Sequence, residues 1–178
     1  MATKDSTGPW MEAGREAGLV LSAQQGDRAS YLELVEHYAP AIYRLAHSLT
    51  PHPEDTLDLA RETFIHGWKN IKHLPVGKPL YPWLMRAARN FAIVVRRRRA
   101  GLGEAPPAGS ARERVFVGAF ADLTLDEQVV LVMRIVEKLP YTEIATALEV
   151  PTRTAMSRVA SARERLRTRI AERARNAA

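Results

Sequence analysis

Apolar residues in this chain recur every three to four positions almost from end to end, and nowhere do they alternate cleanly over the length of a strand. That period restricts the chain to helices packed on helices, so an all-α fold is expected. Tyr31, Leu34, Val35, Tyr38, Ile42, Leu45 and Leu49 share one helical face, with Pro40 expected to kink or break it. "TPHPED" ends that helix. Pro53 suits the first turn of the next, where Glu54 and Asp55 meet the positive end of the helix dipole. Leu57, Ala60, Phe64, Trp68 and Ile71 make its apolar stripe. "KHLPVGKPLYP", with three prolines and a glycine, reads as a loop. In the helix that follows, Trp83, Leu84, Ala87, Ala88, Phe91, Val94 and Val95 point inward. Arg86, Asn90 and Arg97 lie opposite, with Arg89 and Arg96 beside them. "VVLVMRIV" has strand-like content, but its flanks favour a helix.

The period is interrupted once for long. "AGLGEAPPAG", Ala100 to Gly109, is almost all Gly, Pro and Ala and reads as a flexible linker. It separates a helical domain at 27–99 from another at 110–178. Each is small enough to be marginal alone. Residues 1–18 mix Gly, Ala, Ser and charges without period, so a disordered tail is expected over 1–26, with Trp10 and Met11 out of place in it. Past the linker, Ser110–Glu113 and Thr124–Glu127 have the spacing of capping boxes. The second would open a helix with Val129, Val130, Met133 and Val136 inward.

"PYTEIATALEVPTRTAMSRV" then places two short helical patterns almost end to end. Ile144, Ala145 and Leu148 face inward in the first. "EVP" turns the chain, and Thr152 is a good N-cap for a long helix striped by Ala155, Val159, Ala162, Leu166 and Ile170. Two helices across a tight turn form a helix-turn-helix, which braces the second helix for entry into a major groove. Arg153, Met156, Ser157, Arg158, Ser161 and Arg165 lie off the stripe, as side chains for phosphate or base edges would. The free N–H groups at the Thr152 end also suit a phosphate. An ordinary helical hairpin with a wet basic face is the alternative.

Charge distribution favours nucleic acid. Of a net +6, Arg86–Arg99 carries six Arg and no acid, and Pro151–Ala178 carries eight Arg against Glu164 and Glu172. The rest of the chain is therefore net acidic, and two basic segments on an acidic body suggest two polyanion contacts. Other classes lack their signatures. There is no Cys for a disulfide or a thiolate zinc site, and the five His form no i,i+4 pair. No P-loop, dinucleotide fingerprint or nucleophile elbow appears. Neither a signal-peptide core nor a run of about 20 apolar residues is present, so a cytoplasmic protein without membrane insertion is expected. Asp58 and Glu62 sit i,i+4 on a helix with no sign of a catalytic pocket around them. No enzyme and no cofactor or metal is expected.

"LTLDEQVVLVMRIVEKLPYTEIATALEVPTRTAMSRVASARERLR" resembles the C-terminal DNA-binding region of extracytoplasmic-function (ECF) bacterial sigma factors. "AIYRLAHSLTPHPEDTLDLARETFIHGWKNIKHL" with "KPLYPWLMRAARNFAIVVRRRR" resembles their N-terminal core domain. The two matches stand in the family's order and cover roughly residues 27–170. The resemblance implies a transcription initiation factor that binds core RNA polymerase, through the β′ clamp and the β flap, and reads promoter DNA. It implies −35 contacts from Thr152, Arg153, Thr154, Met156, Ser157, Arg158, Ser161 and Arg165. It implies capture of the −10 non-template strand by the loop Asn70–Pro82 and the helix after it, through Asn70, Tyr81, Trp83, Arg86, Arg89, Asn90 and Arg97. It implies polymerase contacts from Asp58, Leu59, Arg61, Glu62 and Phe64, and an anti-sigma factor as a further partner. The chain departs from the family pattern at Arg61, where Gln is usual, and at Pro140, where an N-cap Ser is usual. Met156 and Ser161 replace usual cations. Glu149 replaces a turn Gly, which is awkward if that residue needs positive φ. A ligand-sensing helix-turn-helix regulator and a sigma-like decoy are the competing readings. The first needs a ligand domain that the sequence does not display; the second would not need the basic faces, which the chain keeps.

Overall fold

Among the residues described by the computed structural model (10–50, 52–100 and 110–176, without the side chains of 96, 97, 99 and 100), the chain forms eight α-helices and no strand. The all-α expectation holds. The segment expected to be a disordered tail does not: within it, α1 spans Ala13–Gln24. The Glu12 carboxylate caps it, accepting from the amides of Gly14 and Arg15 at 2.9 and 2.8 Å. Met11, Val20 and Ala23 are buried. Trp10 lies edge-on to Tyr81, ring centroids 5.4 Å apart. The sequence hides this helix because its inward face carries a carboxylate, Glu16, where an apolar stripe would need a large hydrophobic residue. Residues 1–9 lie outside the described ones.

α2 (Arg28–Leu49) runs unbroken through Pro40. The proline removes one backbone donor, but Tyr38, Ala41 and Ile42 on either side are at most 1% exposed, and their packing holds the helix together. α3 (Pro53–Asn70) turns a different face inward from the one its large residues suggest. Asp55, Thr56, Leu59, Thr63 and Gly67 are buried, and Leu57 is 55% exposed. Close approach to α2 is the reason. A Cβ on Gly67 would lie 2.2 Å from the Tyr31 hydroxyl, which donates to the Phe64 carbonyl at 2.6 Å. The buried threonines satisfy themselves: Thr63 donates to the Leu59 carbonyl at 2.7 Å, and the Thr50 and Thr56 hydroxyls meet at 3.0 Å. A 3₁₀ turn at Ile71–His73 and a loop lead into α4 (Leu80–Ala100), which buries Leu80, Tyr81, Leu84, Met85, Ala88 and Ala92. Val94, expected inward, is 63% exposed.

In the second half, α8 (Thr152–Asn176) is the spine, with α5 (Ala111–Ala121), α6 (Leu125–Leu131) and α7 (Tyr141–Leu148) packed on it. Both capping boxes form. Beyond α6 the backbone widens into a π turn over Val132–Val136, where the Glu137 amide reaches the Val132 carbonyl at 3.0 Å. The wider turn leaves Val136, expected inward, 44% exposed and sets Glu137 toward the first half.

The two halves touch. α2 and α4 pack on α6, the π turn and α7, and one buried apolar cluster runs through both halves. Val129, Val130, Leu131, Val132 and Met133 are all at most 3% exposed, because α8 covers one side of this segment and α2 the other. A segment buried all round has no polar face, which is why "VVLVM" lacks a clean helical period. Residues 101–109, most of the expected linker, lie outside the described residues.

Candidate nucleic-acid interface

The helix-turn-helix forms as its spacing requires. α7 ends at Glu149, φ 53° and ψ 45°, a left-handed cap that glycine adopts without cost, and its amide reaches back to Ala145 and Thr146. The glutamate at that turn is therefore strained by roughly 1–2 kcal/mol. Pro151 then leads into α8, whose Ala155, Val159 and Ala162 are buried against the rest of the unit. The opposite face carries Thr152, Arg153, Met156, Ser157, Arg158, Ser161 and Arg165, all exposed, with Thr154 half-buried at its edge. Among the described residues Arg153 and Arg158 have no ion pair, whereas Arg165 bonds Glu127 at 2.8 Å. One continuous, cationic, solvent-facing strip thus starts at a helix N-terminus, the arrangement that neutralises phosphates and offers donors to guanine edges.

The second basic surface, on α4, is engaged by acids from the other half. Arg86 pairs with Glu149 at 2.7 Å and Arg89 with Asp126 at 2.5 Å. The Arg86 hydrogen bond holds the Glu149 carboxyl below its ordinary range. Deeper in the same contact, Arg44 of α2 grips Glu137 through two bonds of 2.7 and 2.6 Å, with the Glu137 side chain only 2% exposed. Trp10 donates its indole N–H to Glu143 of α7, whose carboxyl burial pushes up. Arg98, at the end of α4, folds back on buried Asp55 at 2.6 Å. The sequence does not reveal these partners, which lie 37 to 133 residues apart. Its only signal is the acidity of the body that faces the arginines.

The residues expected at the −10 strand are partly brought together. Asn90 is exposed, and Arg89 donates to its side-chain oxygen at 3.2 Å. Trp83 is half-buried and stacked on His66, centroids 5.6 Å apart. Asn70 caps its own helix, donating to the His66 carbonyl at 3.0 Å. The side chain of Arg97 lies outside the described ones. Tyr81 is corrected: it is fully buried, stacked on Tyr38 at 5.3 Å and covered edge-on by Trp10, so it offers no face to a base in this arrangement. Its hydroxyl is buried without a hydrogen-bond partner among the described residues, and burial raises its pKa.

On α3 the expected polymerase contacts divide. Asp58, Arg61 and Glu62 are exposed together, with Arg61 on Asp58 at 3.1 Å and with Leu57 and Ile65 beside them. Phe64 is half-buried. Leu59 is corrected: at 1% exposure it belongs to the core, because the helix turns its small polar face inward and carries Leu59 with it.

Comparisons with known proteins agree on both halves. The family model Sigma-70 region 2 matches residues 34–101, and Sigma-70, region 4 matches residues 115–166. The chain is 31% identical over 185 residues to the ECF RNA polymerase sigma factor SigE of Mycolicibacterium smegmatis, covering 92% of this chain and 72% of that one. It is 23% identical over 176 residues to the ECF RNA polymerase sigma factor SigW of Bacillus subtilis, covering 85% and 94%. Among solved structures, CnrH in complex with the cytosolic domain of CnrY matches with a TM-score of 0.68 at 22% identity, over 86% of this chain and 96% of that one. RpoE of Bartonella quintana, in complex with the anti-sigma factor NepR, matches with a TM-score of 0.59 at 24% identity, over 79% and 96%.

Proposed function

The chain belongs to the extracytoplasmic-function sigma factors, transcription initiation factors that bind core RNA polymerase and direct it to promoters, and on that premise we propose which of its residues do each part. Its role is regulatory rather than catalytic. Residues 27–99 act as the region 2 unit and 110–178 as the region 4 unit. α8 enters the major groove of the −35 element, with Arg153 and Ser157 nearest the bases and Arg158 and Arg165 on the backbone. Thr152, Thr154, Met156 and Ser161 complete that face. Asn70, Trp83, Arg86, Arg89, Asn90 and Arg97 meet the −10 strand. Asp58, Arg61, Glu62 and Phe64 meet the β′ clamp, and the region 4 unit meets the β flap.

One observation carries the −35 assignment: among the described residues Arg153 and Arg158 stand unpaired on the exposed face of a braced helix, while Arg86 and Arg89 of α4 are paired. For Arg86 and Arg89 to reach DNA, Glu149 and Asp126 must leave them, so engagement of the promoter opens the contact between the units. An anti-sigma partner is part of the proposal too, since two similar solved proteins are bound to CnrY and to the anti-sigma factor NepR. No helix among the described residues is long and apolar enough to cross a membrane. We place the protein in the cytoplasm, with the polymerase. The test is Arg158→Ala in holoenzyme. Loss of a phosphate contact weakens promoter binding and lowers the salt slope by about one, whereas loss of a base contact relaxes one −35 position by about 1–3 kcal/mol. Unchanged affinity, slope and preference would take this face of α8 off the DNA.

A further inference from the structure

We propose that α1 is a bracket that sets the pose of the loop between α3 and α4, and that Gln24 and Glu16 are thereby positioning residues for −10 recognition. The inference rests on the −10 role that the family resemblance implies for that loop. α1 precedes the span matched by the region 2 family model, which begins at residue 34.

The two ends of the loop are held by two side chains of one helix. At its start, the Gln24 carboxamide donates to the carbonyls of Ile71 and Leu74 at 3.0 and 2.9 Å, so both of its N–H groups are spent there. At its finish, one oxygen of Glu16 accepts the Leu80 amide at 2.9 Å and the Tyr38 hydroxyl at 2.8 Å. Leu80 opens α4, where a backbone amide has no partner within its own helix. A carboxylate from α1 supplies that partner and sits at the positive end of α4. Glu16 is only 6% exposed, and these two donors are what makes a buried carboxylate tolerable.

Gln24 and Glu16 are eight residues apart on α1, about 12 Å along its axis. They therefore fix the separation of the two loop ends. Among the described residues no side-chain hydrogen bond holds what lies between. Residues 75–78 are exposed, Val76 is 89% exposed, and the turn is closed by the Lys78 amide on the Pro75 carbonyl at 3.0 Å with Gly77 at φ 76°. A short tip with its own tight turn and two anchored ends takes its direction from the anchors. Moving an anchor by an ångström re-aims the tip, and positioned contacts are sensitive on that scale.

The experiment uses holoenzyme formed with the full chain, transcribing a promoter library randomised at the −10 element behind a fixed −35 element. A reciprocal library serves as control. Gln24→Ala and Glu16→Ala are expected to flatten −10 discrimination, which typically runs at about 5- to 150-fold per position, by about threefold or more. The −35 preference and core affinity should stay unchanged. Glu16→Gln keeps the accepting oxygen and is expected to retain the wild-type −10 preference, which a merely destabilising effect would not predict. Amide exchange at Leu80 should quicken in Glu16→Ala and not in Glu16→Gln. A fourth protein, carrying a relative's residues at 75–79 with the anchored ends left in place, separates the two claims. If the loop exchange moves the −10 preference and neither alanine variant does, α1 is not a bracket. If the loop exchange itself leaves the preference in place, the −10 reading of the loop fails and this inference with it.

Discussion

Arg44→Ala tests whether the contact between the units is a latch. The Glu137 carboxylate is 2% exposed and held by two charge-assisted bonds of 2.7 and 2.6 Å from Arg44. Leaving such a carboxylate buried and unpaired costs about 3–5 kcal/mol. Arg44 is itself 45% exposed, so solvent screens part of the interaction and about 1–3 kcal/mol is the better expectation. The two partners lie on opposite units, α2 and the end of the π turn. The molecule can relieve the stranded charge by separating the units, without unfolding either. The loss should therefore appear as a shift of the docking equilibrium by about 5- to 150-fold toward the open form. The chain has no Cys, so cysteines introduced at exposed Glu36 and Arg167 label selectively with a fluorophore pair. Arg44→Ala should move the distance distribution to longer values with unchanged helical content. The swap Arg44→Glu with Glu137→Arg should restore the short distance. If the distribution stays put, or if Arg44→Ala lowers helical content instead, the pair is a structural element of one rigid body and the latch reasoning is wrong.

Three further outcomes follow from the same geometry. Glu149→Gly removes a left-handed strain of roughly 1–2 kcal/mol and gives up an exposed ion pair with Arg86 worth ~1 kcal/mol or less. The net stabilisation of about 0–2 kcal/mol, at about 2–4 °C per kcal/mol, should raise Tm in thermal denaturation, and a fall in Tm would mean the Arg86 pair dominates. Asp58→Lys with Glu62→Lys should weaken core polymerase binding at least about tenfold by reversing two charges on one exposed face, as read by fluorescence anisotropy, while leaving circular dichroism unchanged. Arg173 holds the Asp122 carboxyl below its ordinary value, so their contribution to stability is full above the unfolded-state value and lost as pH falls through the folded one. Wild type and Arg173→Ala should therefore differ in Tm at neutral pH and converge in acid; a constant gap would assign the effect to packing.

Local chemistry was the legible part of this molecule. Both capping boxes, the helix-turn-helix and the strained turn at Glu149 depend on residues a few positions apart, and each formed where the spacing put it. The basic face of α8 was legible for the same reason. What the sequence misplaced was set by distant neighbours. α3 turned Leu57 outward because Gly67 lets Tyr31 approach. α1 stayed hidden because Glu16 is buried for its bonds to Tyr38 and Leu80 rather than for hydrophobicity. Tyr81 looked like a stacking platform until Trp10 and Tyr38 covered it. The acids facing Arg44, Arg86 and Arg89 carry no local pattern at all.

As a sigma factor, this chain gives core polymerase a promoter preference of its own. Purified protein added to core RNA polymerase on genomic DNA, with transcript 5′ ends sequenced, tests it most directly. New starts should share one −35 and one −10 sequence at a fixed spacing, and the −35 component should be lost with Arg153→Ala and Arg158→Ala combined. Starts indistinguishable from those of core polymerase alone would contradict it.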